Sequence, residues 1–520
     1  MRIGVDVGGT NTDAVILAGR DVIGAVKRPT TSDVSSGIAA AIGAVMSEAG
    51  IRAGQIQAVM IGTTHFTNAF VQRQHLEKVY AIRIGYPASR GIPPFSGWPN
   101  DVRRMVEGGA ELVPGGYEFD GRAISPFDER AVRQAARAAA GKELTQLAIS
   151  CIFSQLNSDQ EQRAAEIAIR EVPDLDVSIS SELGRAGLLE RENAAIMNAS
   201  LRPLAEKVAG AFRKALEELG LSCPWYVSQN DGTLMDAERL RKYPVLTFAA
   251  GPTNSLRGAA WLTNRSNAIV VDIGGTTSDV GVLNKGFPRQ SSVHVDVGGV
   301  RTNFKMPDII SIGLGGGSRV RASANGVTIG PDSVGFRLLE DAKIFGGDTL
   351  TTSDVAVAAG WAHFGDKALL ENITPRLISD CQDAISQLLD GAIDRMKTSS
   401  EPVPAILVGG GSVLAQRCPA GVSELLRPEH AGVANAIGAA IGQVGGEIDQ
   451  IYNIGNEAER AAALEDAKDQ ATQRAIAAGA LSGTVEVIDL DAIPLQYLPG
   501  GATRVLCRAI GDLGFEGAVA

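Results

Sequence analysis

One fifteen-residue pattern occurs twice in the chain. Residues 3–17, IGVDVGGTNTDAVIL, return as residues 269–283, IVVDIGGTTSDVGVL, so that Asp6 and Asp13 find counterparts in Asp272 and Asp279. Each copy has a β-branched run, the frame Asp-X-Gly-Gly-Thr-X-X-Asp and a second β-branched run, which predicts a strand, a tight glycine turn and a returning strand. Five fixed residue types in one short frame do not recur by accident, and the repeat predicts two related lobes. At 520 residues the chain is long enough to build two lobes with a cleft between them.

Elements alternate around the echo. Helices are predicted over Val34–Ala49, Phe127–Ala140, Pro375–Lys397, Val433–Val444 and Glu457–Ala478, and buried strands over Ala58–Gly62, Val79–Ile84, Gln146–Phe153 and Ala405–Val408. The longest helix is expected at Arg191–Leu219, where Met197, Leu201, Leu204, Val208, Phe212 and Leu216 form one apolar stripe, with Pro224 beyond its end. The chain therefore divides into lobes at 1–190 and 191–446, with a small C-terminal tail at 447–520 that packs on them and ends in two short strands.

Charge narrows the partners. Forty-eight Lys and Arg against 59 Asp and Glu give a net charge of -11 with no basic run, which excludes nucleic acid or an anionic membrane as the main partner. An anionic ligand would then be held by backbone amides and a metal ion. Glycine is in surplus for that task, with 61 in the chain against a usual ~7% of residues. The five cysteines are scattered without CxxC spacing and read as reduced core thiols. With no apolar leader and no long apolar stretch, a cytoplasmic protein is expected, and its small-residue helices permit a homo- or hetero-oligomer.

The repeated turn suits phosphate. Glycines let backbone N–H groups approach phosphate oxygens and the Thr hydroxyl adds a donor, which marks Gly8, Gly9, Thr10 and Asn11, and again Gly274, Gly275, Thr276 and Thr277, as nucleotide-binding candidates. Asp6 and Asp272, at the strand ends, suit Mg²⁺, which keeps its waters and takes one or two carboxylates. Asp13 and Asp279, on the returning strands, are candidates to orient a nucleophile, a water or a second substrate. Gly409, Gly410 and Gly411 follow a strand and suit passage of backbone over a base or ribose. Thr63, Thr64 and Asn68 are candidate substrate contacts, and His65 beside them a candidate catalytic group. His294 and Asp296 share a face of a predicted strand, as a metal or proton relay or as a solvent-facing polar pair.

Two phosphate loops and a late glycine turn resemble the actin, hexokinase and Hsp70 ATPase superfamily. The resemblance implies an α/β fold of two duplicated actin-like (ribonuclease H-like) lobes, mixed sheets flanked by helices around a nucleotide cleft, with ATP and Mg²⁺ as cofactors. Further motifs appear in family order: Ile61-Gly62-Thr63-Thr64, Glu190-Arg191-Glu192-Asn193, Gln229-Asn230-Asp231-Gly232, Gly251-Pro252, and Asp308 through Ser318. Together they resemble the hydantoinase A/5-oxoprolinase family over roughly residues 1–445. That family implies ATP-dependent ring-opening hydrolysis of a small cyclic amide, such as a hydantoin, oxoproline or lactam, through phosphorylation of the amide oxygen, often with a second subunit. Within that frame Gly313–Ser318, including Gly315 and Gly316, is expected as a third anion-binding turn, and Asp308 and Asp296 as acid/base or metal groups. A small-molecule kinase and an ATPase that remodels a protein partner are the alternatives. Three departures stand out: Ile61 replaces a usual His, Gly251–Ser255 replaces a more Ala/Gly-rich turn, and the chain stops earlier than long members.

Overall fold

A computed structural model describes residues 1–8, 11–30, 34–119, 121–184, 187–291, 294–323, 326–495 and 501–514. The first copy of the repeat forms the antiparallel strands Arg2–Val7 and Asn11–Ala18, with Asp6 opposite Asp13. Strand Asp21–Pro29 extends them on one side and Ala58–Thr63 pairs parallel with Arg2–Val7 on the other. The second copy repeats the plan: Ala268–Ile273 runs antiparallel to Ser278–Asn284, with Asp272 opposite Asp279, and parallel to Val403–Val408. Strands Arg2–Val7, Ala58–Thr63, Ala268–Ile273 and Val403–Val408 are buried on both faces nearly throughout, as strands of a sheet covered by helices are, whereas Asp21–Pro29 at the sheet edge is mostly exposed. The duplicated lobes expected from the echo are present.

The first sheet is larger than its lobe of sequence. Its nine strands continue from Ala58–Thr63 through Trp225–Ser228 and Thr233–Met235 to three strands near the C-terminus, Gln443–Asn453, Ala502–Gly511 and Glu486–Pro494. Among the described residues after 447, the strands thus belong to the first-lobe sheet, with helix Glu457–Ala477 lying over them, and do more than pack on it. Likewise the long helix, Leu188–Glu218, packs on the first-lobe helix Val34–Ala49, so the sheets change over near residue 266 and not at 190. The helix expected over Val433–Val444 ends at Ala440, and a strand begins at Gln443. Between strand Ala58–Thr63 and the long helix sits a separate four-stranded parallel sheet built from Glu107–Pro114, Val79–Tyr86, Gln146–Cys151 and Asp176–Ile179.

The chain crosses between lobes twice, each time through a helix. Ala250–Thr263 leads into the second sheet and buries Leu256 and Ala259 against Val270, Leu283 and Ile406. Ala434–Ala440 leads back and buries Ala436, Ile437 and Ala440 against Val15 and Leu17. The two connectors cross in direct backbone contact: a Cβ at Gly258 would land on the Ala434 carbonyl, and one at Gly438 on the Asn254 carbonyl. Only glycine allows this approach. All five cysteines are free; three are buried, but Cys223 is partly exposed and Cys418 is exposed, so the core-thiol expectation fails for those two. No helix among the described residues is long and apolar enough to cross a membrane.

Candidate functional site

Both hairpin turns close in the same way. The Gly8 N–H donates to the Asn11 carbonyl at 3.0 Å and the Gly274 N–H to the Thr277 carbonyl at 2.9 Å. The turns face each other across a cavity of about 340 Å³ lined by Gly8, Asn11, Asp13 and Lys27 of the first lobe and Asp272, Gly274, Gly275, Gly409, Gly410 and Gly411 of the second. Gly9 and Thr10 lie outside the described residues. The amides of Gly275 and Gly410, both in the cavity lining, have no protein partner among the described residues, which leaves them free to donate to an anion. At the other end the lining is apolar: Leu338, Ala356, Phe364, Val413 and Leu414.

Two aspartates, Asp13 and Asp272, line the polar end, and their strand partners Asp6 and Asp279 stand beside them. Asp6 is buried, its Oδ2 accepts from Asn435 Nδ2 at 2.8 Å, and its Oδ1 has no partner. Burial, with Asp13 and then Asp272 nearby, pushes its carboxyl up to about 7. Asp13 is also buried, takes a 2.6 Å hydrogen bond from Lys27 Nζ on Oδ2, and keeps Oδ1 unpartnered; burial raises its pKa against the pull of Lys27. Burial raises Asp272, opposed by a hydrogen bond from Ser255. Asp279 rises to about 6, again through burial, opposed by the Ser311 hydroxyl that donates to its Oδ1 at 2.5 Å.

Among the described residues no three of His, Cys, Asp and Glu converge to hold a metal ion. A hydrated Mg²⁺ does not need three, and the orphaned Oδ1 atoms of Asp6 and Asp13 beside Asp272 fit one that binds through its waters. A Cβ at Gly62, opposite Asp6 in parallel register, would land on Asp6 Oδ1 and on the unpartnered Asn254 Nδ2. The donor set therefore fits a metal–phosphate ligand.

Other expected residues fall elsewhere. The Gly315–Gly317 turn does not offer its amides to a ligand: Gly315 donates to Ser318 Oγ, Gly316 to the Gly274 carbonyl at 3.0 Å and Gly317 to the Gly275 carbonyl at 2.7 Å. It splints the second phosphate turn, a correction to its reading as a third anion-binding turn, although Gly316 reaches the cavity wall. Asp308 pairs with Arg289 at 2.8 Å and is not among the lining residues. Asp296 caps a hairpin by accepting from the Gly299 N–H at 2.8 Å, while His294 is exposed and precedes the strand.

Thr63, Thr64, His65 and Asn68 sit one strand away from the cavity. Thr63 is fully buried and accepts from the His65 N–H at 3.2 Å; the Thr64 hydroxyl donates to the Val7 carbonyl at 3.4 Å and accepts from Asn68 at 3.3 Å. The group fastens the end of strand Ala58–Thr63 to the first turn. Burial, then nearby His75, lowers the pKa of His65 and favours neutral imidazole. In the family motif at 190–193, Glu192 accepts from the Arg83 guanidinium at 2.7 and 2.5 Å and from Ser150 at 2.7 Å, joining the inserted sheet to the long helix.

Lys27, Ser255 and Asn435 escaped the sequence reading. A second, fainter echo marks two of them: Ser255 and Asn435 each stand three residues before a Gly-Ala-Ala, at 258–260 and 438–440. Each therefore occupies the same place on its connector helix, and each reaches the first Asp of one hairpin. Lys27 is signalled only by cross-strand register, directly opposite Asp13.

Comparison with known proteins agrees with this architecture. The caprolactamase alpha subunit of Pseudomonas jessenii is 27% identical over 400 residues, 71% of this chain and 55% of its own. The acetophenone carboxylase gamma subunit of Aromatoleum aromaticum is 27% identical over 401 residues, 69% of this chain and 53% of its own. The chain thus spans about half the length of the curated relatives it matches. The crystal structure of the ATP-dependent caprolactamase from P. jessenii superposes with a TM-score of 0.78 at 20% identity, covering 99% of this chain and 88% of that one. Nucleotide-free acetone carboxylase gives 0.67 at 18% identity with the same coverage. The profile described as "Hydantoinase/oxoprolinase N-terminal region" matches residues 2–172, and that described as "Hydantoinase/oxoprolinase" matches residues 191–447: the chain belongs to the hydantoinase/oxoprolinase family.

Proposed function

We propose that the cleft binds Mg-ATP and phosphorylates the carbonyl oxygen of a small cyclic amide, committing the ring to hydrolysis. One observation carries this reading: Gly8 and Asn11 of the first Asp-X-Gly-Gly-Thr frame and Gly274 and Gly275 of the second line a single cavity, where Asp13 Oδ1 lacks a partner and the Gly275 and Gly410 amides lack acceptors among the described residues. The named activities of relatives support it, since one is an ATP-dependent caprolactamase.

Asp6 and Asp272 would hold the hydrated Mg²⁺, which neutralises phosphate charge when bound. The amides of Gly275 and Gly410 would hold phosphate oxygens, and the apolar end at Leu338 and Phe364 would take the base. Asp13 stands where it can accept the ring N–H proton released as the amide oxygen is phosphorylated. Water then adds to the activated carbon, the ring nitrogen leaves, and a second water cleaves the resulting acyl phosphate. A second subunit and a higher oligomer belong to the same reading, because the curated relatives are named as subunits.

Relatives named as ketone carboxylase subunits favour one second reading, in which a ketone oxygen is phosphorylated before carboxylation. The test is ADP release by the purified protein, with any partner subunit supplied, on a panel of hydantoins, lactams and ketones with and without bicarbonate. Ring-opened acid formed together with ADP is expected. Bicarbonate-dependent ADP release on ketones would transfer the assignment to the carboxylase reading. A stable phosphorylated product would make the protein a kinase, and ATPase activity stimulated only by a protein would make it a remodelling factor.

A further inference from the structure

We propose that Lys27 is a catalytic cation that leaves Asp13 to bind the terminal phosphoryl group of the nucleotide, placing phosphoryl transfer on the first-lobe side of the cleft. The inference rests on the cleft being the nucleotide site proposed above.

Three observations carry it. Lys27 is the only Lys or Arg among the described residues lining the cavity, yet the polar end holds the carboxylates of Asp13 and Asp272, with Asp6 near both; a polyphosphate there needs a mobile positive charge besides the metal. Its partner is buried whereas its own side chain is 39% exposed, so the ammonium can swing on its four-carbon stem while Asp13 stays fixed. Finally, the two lobes differ at this position. Lys27 faces Asp13 in strand register as Ser311 faces Asp279, and only the first lobe places a cation there.

In the transfer step the Lys27 ammonium donates to the γ-phosphoryl oxygens and keeps its proton throughout. The substrate oxygen forms a bond to the γ-phosphorus, and the bond from that phosphorus to the β,γ-bridging oxygen breaks with its electron pair going to ADP. The amide N–H proton passes to the carboxylate of Asp13 that Lys27 has vacated. A lysine that merely neutralised Asp13 would do none of this.

Calorimetric titration with ADP and with a non-hydrolysable ATP analogue, both with Mg²⁺, separates the two roles. Wild type and Lys27→Arg should favour the analogue over ADP. Lys27→Met and Lys27→Gln should lose about tenfold of that preference, the scale of one charge-assisted hydrogen bond, and turnover should fall about 100-fold. The Lys27→Met/Asp13→Asn double variant should turn over more slowly than Asp13→Asn alone. An unchanged analogue-to-ADP ratio in both lysine variants, or a double variant as fast as Asp13→Asn, would overturn the assignment. Wild type that binds neither nucleotide would overturn the reading of the cleft and this assignment with it.

Discussion

The two hairpins share a turn, a register and an aspartate pair, but they differ in what holds those aspartates. In the first lobe Asp6 is held by the Asn435 amide and Asp13 by the Lys27 ammonium; in the second, hydroxyls do both jobs, Ser255 at Asp272 and Ser311 at Asp279. Duplication has kept the backbone and let charge diverge. A symmetric cleft would have no direction, whereas this one has a cationic wall on one side, an apolar recess on the other, and in the first lobe a carboxyl, Asp6, that burial pushes up to about 7.

The comparison can be broken in four places. Asp6→Ala and Asp272→Ala should each reduce ATP turnover about 10³-fold or more, through lost stabilisation of phosphate charge, without loss of the circular dichroism of the folded chain. Full ATPase in both variants would reduce the repeat to architecture. Next, Asn435→Ala should weaken Mg²⁺ binding about tenfold, as removal of a partner that orients a metal-facing carboxylate does, and Ser255→Ala should weaken it less. Equal losses in the two would mean the lobes share the metal evenly.

The crossing of the connectors should be equally sensitive from either side. Gly258→Ala and Gly438→Ala push a methyl into the opposing backbone, and each should lower stability by about 1–3 kcal/mol, read as a shift of the urea midpoint at constant slope. Asp6→Asn tests the buried charge itself. The folded carboxyl titrates at about 7 against an unperturbed value of ~3.9, so the folded chain keeps a proton that the unfolded chain releases. The stabilisation from that proton is complete below about pH 4 and is lost as pH rises through about 7. Asparagine mimics the protonated form, so the variant should melt about 2 °C or more above wild type at pH 8 and close to it at pH 4. The same gain at both pH values would contradict the buried-charge account.

The long periodic elements were legible. Val34–Ala49 is a helix over the expected residues, and helices predicted at Pro375–Lys397 and Glu457–Ala478 end one residue earlier. So were the hairpins, because two copies of one frame leave little choice of register. What failed was set by distant chain. The tail's place in the first sheet depends on strand pairing that no local pattern reveals, and at Gly446 the strand passes so close to helix Glu457–Ala477 that a Cβ would land on the Ala471 carbonyl. Read along the sequence, that glycine marks only the end of a small-residue run. Gly315–Gly317 looked like a ligand turn because glycine permits both uses, and only its carbonyl partners, Gly274 and Gly275, decide between them. Lys27 was one charged residue among many until Asp13 was found opposite it.

The two connectors also govern what happens if the chain is cut. The exposed stretch at 264–267, just after the first connector, invites a protease. One fragment would then carry the helix that roofs the second sheet, and the other would carry the returning helix and three strands of the first. Each piece would hold the other's missing parts, so a single nick there should leave the halves clasped until denaturant parts them.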